Sequence, residues 1–214
     1  MVRDMMTPST SASSPSAEYL DEVMRVAGSL DADQLEAMAQ GLARVREGGG
    51  RLFIIGVGGG AGHASHAVND FRKICHLESY TPTDNVSELT ARVNDDGWET
   101  TFDAWLTTSR ISNRDAILVF SVGGGSREHG VSMNIVLAVE HAKRVGAKIY
   151  GIVGKPDGVT ADLADVCIVV DTVAKLRTGI VEGFQAVLWH GLVFHPLLEA
   201  QPGKWETVES GLSR

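Results

Sequence analysis

Twice in this chain a short, unbroken apolar run ends in a cluster of glycines. LFIIGV at residues 52–57 leads into Gly58-Gly59-Gly60, and AILVFS at residues 116–121 leads into Gly123-Gly124-Gly125. Apolar runs of about six residues without alternation suit strands buried on both faces, as in a parallel sheet covered by helices on each side. Glycines directly after such a strand let the chain turn sharply and let backbone N–H groups approach a ligand closely. The two features together restrict the chain to an α/β fold, in which ligands gather outside the carboxyl ends of the strands.

The rest of the sequence fills in that architecture. Leu20, Val23, Met24 and Ala27 recur at helical spacing, and so do Leu35, Met38, Leu42 and Val45. These predict two helices ahead of the first strand. Asp31 followed by Gln34 reads as a capping box for the second, and Gly48-Gly49-Gly50 as its stop. After the first glycine loop the pattern predicts a helix over residues 61–74, a weak strand at 78–81, and helices near 87–93 and 100–109. The strand at 116–121 is followed by a helix over 126–145, a strand at 148–153 (KIYGIV), a short helix near 160–164, a strand at 166–170 (VCIVV) and a closing helix over 178–198. This order predicts a three-layer α/β/α sandwich with a central parallel sheet of about five strands, joined by right-handed crossovers and preceded by two N-terminal helices. The expected domain limits are a tail over residues 1–16, one domain over 17–200 and a second tail over 201–214.

Composition narrows the function. With 214 residues the chain suffices for one such domain. A net charge of -8 argues against a nucleic-acid partner, which needs clustered Lys and Arg. It leaves room for a small anionic ligand held by backbone N–H groups. No run approaches the roughly 18 apolar residues of a membrane helix, and residues 1–16 have no apolar segment of a secretory signal. Cys75 and Cys167 sit in apolar surroundings outside any CxxC pair and read as reduced core residues of a cytoplasmic protein.

The glycine loops carry the first functional expectation. Gly58-x-Gly60 is not a dinucleotide fingerprint, because no acidic residue ends a strand about 20 residues further on, and no Gly-Lys-Ser/Thr makes it a P-loop. In the second loop Ser121 and Ser126 flank Gly123, Gly124 and Gly125; a hydroxyl donates to a phosphate oxygen without bringing charge, and Ser126 is placed to cap the next helix. Two such loops at two strand ends can converge on one phosphate, with Gly58, Gly59, Gly60, Ser121, Gly123, Gly124 and Ser126 as its expected contacts.

At these positions the chain resembles the sugar isomerase (SIS) domain family, whose fold is flavodoxin-like, and within it the sedoheptulose 7-phosphate (phosphoheptose) isomerases. SIS domains carry a Gly-Asn-Gly-Gly-Ser-type loop after the first strand and a Ser-x-Ser-Gly-x-Ser-type loop after a later one. In the heptose branch the first loop enters a helix bearing His-x-x-x-Glu, matched here by His66 and Asp70. An Asn-Asp-x-Gly segment is matched by Asn94-Asp95-Asp96-Gly97, and a Gln with a His eight residues later by Glu182 and His190. The resemblance covers roughly residues 31–198. The chain departs from it at Val57 for Asn, Gly60 for Ser, Gly123 for Ser, Asp70 for Glu and Glu182 for Gln.

What the resemblance implies is aldose–ketose isomerisation of a sugar phosphate. That chemistry needs a base to move a proton between C1 and C2, an acid for the sugar oxygen, and stabilisation of the enediolate. His66 and Asp70, four residues apart, share one helical face; Glu182 and His190 would lie about 12 Å apart along their helix and about 80° around it. Asp70 or Glu182 is the expected base and His190 the acid, with Asn94 and Asp95 available for sugar hydroxyls. His66, Asp70, Glu182 and His190 are also sound ligands for zinc or a similar divalent ion. The resemblance further implies a homotetramer with sites at subunit interfaces. His63, His129, His141 and His195 have no partner at ligand spacing. A competing reading, favoured by the missing loop side chains, is a non-catalytic sugar-phosphate sensor or oligomeric adaptor.

Overall fold

Unbroken apolar runs become strands buried on both faces in the computed structural model, which describes residues 14–210. Strands β1 (Leu52–Gly56) and β3 (Ala116–Ser121) are buried throughout, and β4 (Lys148–Val153) is buried except at its first residue. Short β2 (Ser79–Tyr80) and half-buried β5 (Val166–Val169) form the edges. All pairings are parallel, in the order β2-β1-β3-β4-β5.

Alternate residues along these strands feed two cores, as a pleated sheet requires. Leu52, Ile54, Leu118, Phe120 and Ile152 pack under α2 (Ala32–Glu47), α3 (Gly59–Lys73) and α8 (Arg177–Val193). Phe53, Ile55, Ile117, Val119 and Ile149 face α5 (Thr101–Thr108) and α6 (Met133–Val145). Helices α1 (Pro15–Ser29), α4 (Val86–Asp96), α7 (Val159–Leu163) and α9 (Lys204–Ser210), with two short 3₁₀ turns at Trp98–Thr100 and Ala174–Leu176, complete the described elements. The architecture is the three-layer parallel sandwich that the sequence predicts.

Several boundaries differ for identifiable reasons. Helix α1 opens two residues inside the expected tail, because Ser14 accepts from Ala17 N–H and Pro15 is preset for the first helical turn. The remainder of that tail, residues 1–13, lies outside the described residues, while residues 204–210 of the expected C-terminal tail are helical. On α1 only Val26 is fully buried; Leu20 and Met24 of the predicted stripe are exposed. Asp31 does cap α2, but through Asp33 N–H rather than through a reciprocal box with Gln34.

Ser126 is not a helix cap. The expected helix over 126–145 begins only at Met133, after an antiparallel bridge between Ser126 and Val131. Ser126 N–H is spent on Val131 O at 2.9 Å, and the left-handed backbone at Ser132 (φ 51°) delays the helix. Helix α8 stops at Val193, earlier than the expected 198, and α4 runs to Asp96, past the expected 93, so that Asn94 and Asp95 fall in its final turn.

Two polar clasps fix the frame. At the amino ends of β1 and β3, Asp115 is 2% exposed. Its carboxylate accepts from Arg51 N–H and guanidinium and from Ser112 N–H and hydroxyl, all within 2.8–3.2 Å. Burial alone would raise its pKa; the donors from Arg51 and Ser112 outweigh burial and hold it below the ordinary carboxylate value.

The second clasp ties α1 to the segment after β5. Glu22 accepts from Arg25, from Thr172 Oγ1 at 2.6 Å and from Val173 N–H at 3.1 Å, and Arg25 reaches Asp171 O. Led by the Arg25 hydrogen bonds, these donors lower the Glu22 pKa from 4.5 to about 2. A depressed folded-state pKa means that the stabilisation is complete above about 4.5 and is lost as pH falls toward about 2. Glu22→Gln is therefore expected to flatten the fall of Tm across that window. Thermal unfolding at stepped pH checks it; an unchanged acid slope in the variant would assign that slope to other carboxylates.

Candidate active site

Strand β1 ends at Gly56 and the chain turns at Gly58, whose φ of 60° and ψ of -123° favour glycine, before α3 begins at Gly59. The N–H of Gly60 bonds to Val57 O, and those of Ala61 and Gly62 to Gly58 O, so these amides are committed within the turn. Gly60 leaves no room for a side chain: a Cβ there would lie 2.6 Å from Phe120 O. The absence of the serine common in similar loops thus follows from close packing of α3 on the end of β3. The same closeness puts both glycine loops at one end of the sheet.

The second loop is built differently. Ser121 is buried, and its Oγ accepts from Gly124 N–H at 3.0 Å, leaving the hydroxyl proton to be donated. Gly124 and Gly125 take φ of 72° and 80°. Their carbonyls are held from the next crossover, Gly124 O by Thr160 and Gly125 O by Val159 N–H. Gly123 faces open space, and Ser126 Oγ bonds to His129 Nδ1 at 3.0 Å.

Helices α3 and α8 pack side by side beyond these loops. On α3, His66 and Asp70 face across one turn with Nε2–Oδ2 at 3.6 Å; from α8, His190 brings its Nε2 to 3.8 Å from the same Oδ2. Asp70 is only 13% exposed at its side chain, and its other oxygen accepts from Asn69 Nδ2. It pairs with neither Arg72 nor Lys73; Arg72 turns away to Ser79 O. The ring of His190 is fixed by Nδ1, 2.7 Å from Ala186 O. Since a carbonyl can only accept, Nδ1 carries a proton, and Nε2 is the ring nitrogen turned toward Asp70. Buried Trp189 stacks on His190 and meets His66 edge-on, fixing both imidazoles from behind.

His66, Asp70 and His190 each offer a ligand atom, all within 4.8 Å of one another. The donor set, two imidazoles and a carboxylate, suits zinc, and the Nδ1–carbonyl bond of His190 is the outer contact that orients such a ligand. Three residues of the expected four-ligand set are thereby brought together. Glu182 is placed otherwise: its carboxylate lies against the start of α3, where a Cβ on Gly59 would be 2.5 Å from Glu182 Cδ. There it meets the partial positive charge of the helix terminus.

His63, which the spacing argument set aside, belongs to this neighbourhood. Burial lowers its pKa most; Glu182 works against that by charge and through its backbone carbonyl, while His66 and His190 add to it. Its signal in the sequence was local, since His63 and His66 are three apart on one helix. His129, His141 and His195 are structurally engaged: His129 with Ser126, His141 with Asp103 and His195 with Glu36. Asn94 and Asp95 bond to each other on the exposed end of α4, and among the described residues no hydrogen bond or ion pair joins them to this group.

Comparison with known proteins supplies the family context. The family profile described as SIS domain matches residues 17–154. The chain is 30% identical to a phosphoheptose isomerase of Syntrophotalea carbinolica, over 86% of this chain and 90% of that protein. It is 29% identical to the lincomycin biosynthesis protein LmbN of Streptomyces lincolnensis over 81% of this chain, but spans only 65% of that relative's length. The structure of phosphoheptose isomerase GmhA from Neisseria gonorrhoeae superposes with a TM-score of 0.72 at 21% identity, covering 83% of this chain and 95% of that one.

Proposed function

The chain belongs to the SIS-domain family, and we propose that it is a sugar-phosphate aldose–ketose isomerase converting sedoheptulose 7-phosphate to a heptose 7-phosphate through an enediol. The observation that carries this reading is the cluster of His66, Asp70 and His190 beside two glycine loops at the carboxyl end of the sheet. The names of the similar phosphoheptose isomerases support it.

The phosphate is assigned to the second loop, with the Ser121 hydroxyl as donor, supported by Gly123, Gly124 and Ser126. The first loop, with Gly58, Gly59 and Gly60, forms the wall next to it, because the carboxylate of Glu182 already meets the positive end of α3. A divalent ion such as zinc would be held by His66, Asp70 and His190; when bound it polarises the sugar carbonyl and stabilises the enediolate charge. With those three side chains engaged, Glu182 is the carboxylate left to take the C1 proton and return it at C2. Without the ion, Asp70 takes that proton and His190 serves the sugar oxygen. Asn94 and Asp95 are left for hydroxyls of a sugar bound across a subunit boundary. The homotetramer belongs to the same reading, supported by exposed Leu20 and Met24 on α1 and exposed Val187 on α8, as does a cytoplasmic location. No helix among the described residues is long and apolar enough to cross a membrane.

Turnover of sedoheptulose 7-phosphate by the purified protein, with and without a chelator, tests the assignment. Aldose formation is the expected result, and loss on chelation places the ion in the reaction. Binding of the sugar phosphate without turnover would favour the sensor reading, which draws its support from the bare positions Val57, Gly60 and Gly123.

A further inference from the structure

The end of the sheet opposite the glycine loops holds a cavity of about 440 Å³, beneath α2 and against the starts of β4 and β5. Its polar lining includes Arg44 from the last turn of α2, Asn113 and Arg114 from the turn before β3, Lys148 and Tyr150 of β4, and Asp165. Lys148 is paired with Asp165 at 2.7 Å. Among the described residues, the guanidinium groups of Arg44 and Arg114 have neither a hydrogen bond nor a carboxylate partner. Three cations thus face one carboxylate in a chain whose net charge is -8.

The cavity is also shaped in advance. Tyr150 is 3% exposed, and its ring reaches into the cavity only because position 41 is glycine: a Cβ there would overlap Tyr150 Oη. Its hydroxyl makes no hydrogen bond among the described residues, and burial pushes its pKa up to about 12, so it remains a donor. The Arg114 turn is locked on two sides. Asp115 binds Ser112 and Arg51, and a Cβ on Gly50 would overlap Arg114 O. Two unpaired guanidinium forks and a protonated hydroxyl are the donor set of a phosphate site, with more donors than one carboxylate can use.

We propose that this cavity binds the phosphate group of a small phosphorylated metabolite, clamped by Arg44 and Arg114 with Tyr150 as the uncharged donor. The site is separate from the catalytic end of the sheet and stands whether or not the isomerase reading does. Asp165, joined to Lys148, is positioned to accept from a hydroxyl of the same ligand.

Isothermal titration with inorganic phosphate tests this on the whole protein, comparing wild type, R44Q/R114Q, Y150F and S121A. Wild type and S121A are expected to bind phosphate at this site alike. R44Q/R114Q should weaken that binding at least about tenfold, and Y150F in the same direction, with thermal midpoints in phosphate-free buffer unchanged. Y150F carries the test if the double variant folds poorly. An isotherm unaltered by both variants would overturn the proposal, as would equal binding of acetate. So would dissociation of R44Q/R114Q into a smaller species by sedimentation, which would make the cavity a contact between copies.

Discussion

Asp70→Asn is expected to lower kcat on sedoheptulose 7-phosphate by about 10²–10⁴-fold, the contribution typical of a group that moves a proton in the transition state. The loss follows on either branch of the proposed chemistry. Without a metal the variant removes the base; with one it removes the anionic ligand between His66 and His190. KM is expected to change little, because the proposed phosphate site, Ser121 and the second glycine loop, lies on another element. Asn keeps the shape of the side chain, and the Asp70 side chain makes no hydrogen bond beyond that from neighbouring Asn69, so the thermal midpoint should stay near wild type. Steady-state kinetics with a melting curve check this. Full activity in the variant would remove Asp70 from the mechanism.

Asp115→Ala is expected to destabilise the fold by about 3 kcal/mol, with little direct effect on the site at the far end of the sheet. The substitution strands several donors at once: Arg51 N–H and guanidinium, and Ser112 N–H and hydroxyl. Arg51 is 27% exposed at its side chain, so water can recover only part of the loss. The guanidinium keeps its bonds to Ser109 O and Arg110 O, which limits the effect. Asp115→Asn, retaining one carbonyl acceptor, should lose less. Urea unfolding measures both; a midpoint for the alanine variant equal to wild type would show that the clasp contributes nothing net.

Strands were the most legible part of this fold. Residues 116–121 and 148–153 are read from the sequence at the bounds of β3 and β4, since burial on both faces leaves an uninterrupted apolar signal. The run 52–57 overshoots β1 by one residue because Val57 already belongs to the turn and is exposed. Ser126 misled because a serine after glycines matches a helix cap, whereas the backbone at Gly124, Gly125, Gly130 and Ser132 is left-handed and loops before α6 starts. In the site, the His66–Asp70 pair was legible as a four-residue spacing on one helix. That His190 would join it, while Glu182 would lie over Gly59, depends on how α8 packs across α3, a tertiary fact with no local signature. The cavity beneath α2 was equally hidden, since Arg44, Arg114 and Tyr150 come from three separate segments.

The most direct test of the isomerase reading is to convert sedoheptulose 7-phosphate in D₂O and analyse the product by NMR. A proton taken from C1 by a solvent-exchanging carboxylate and returned at C2 predicts an aldoheptose 7-phosphate carrying deuterium at C2. Recovery of unlabelled ketose alone, from protein that binds the sugar phosphate, would contradict it.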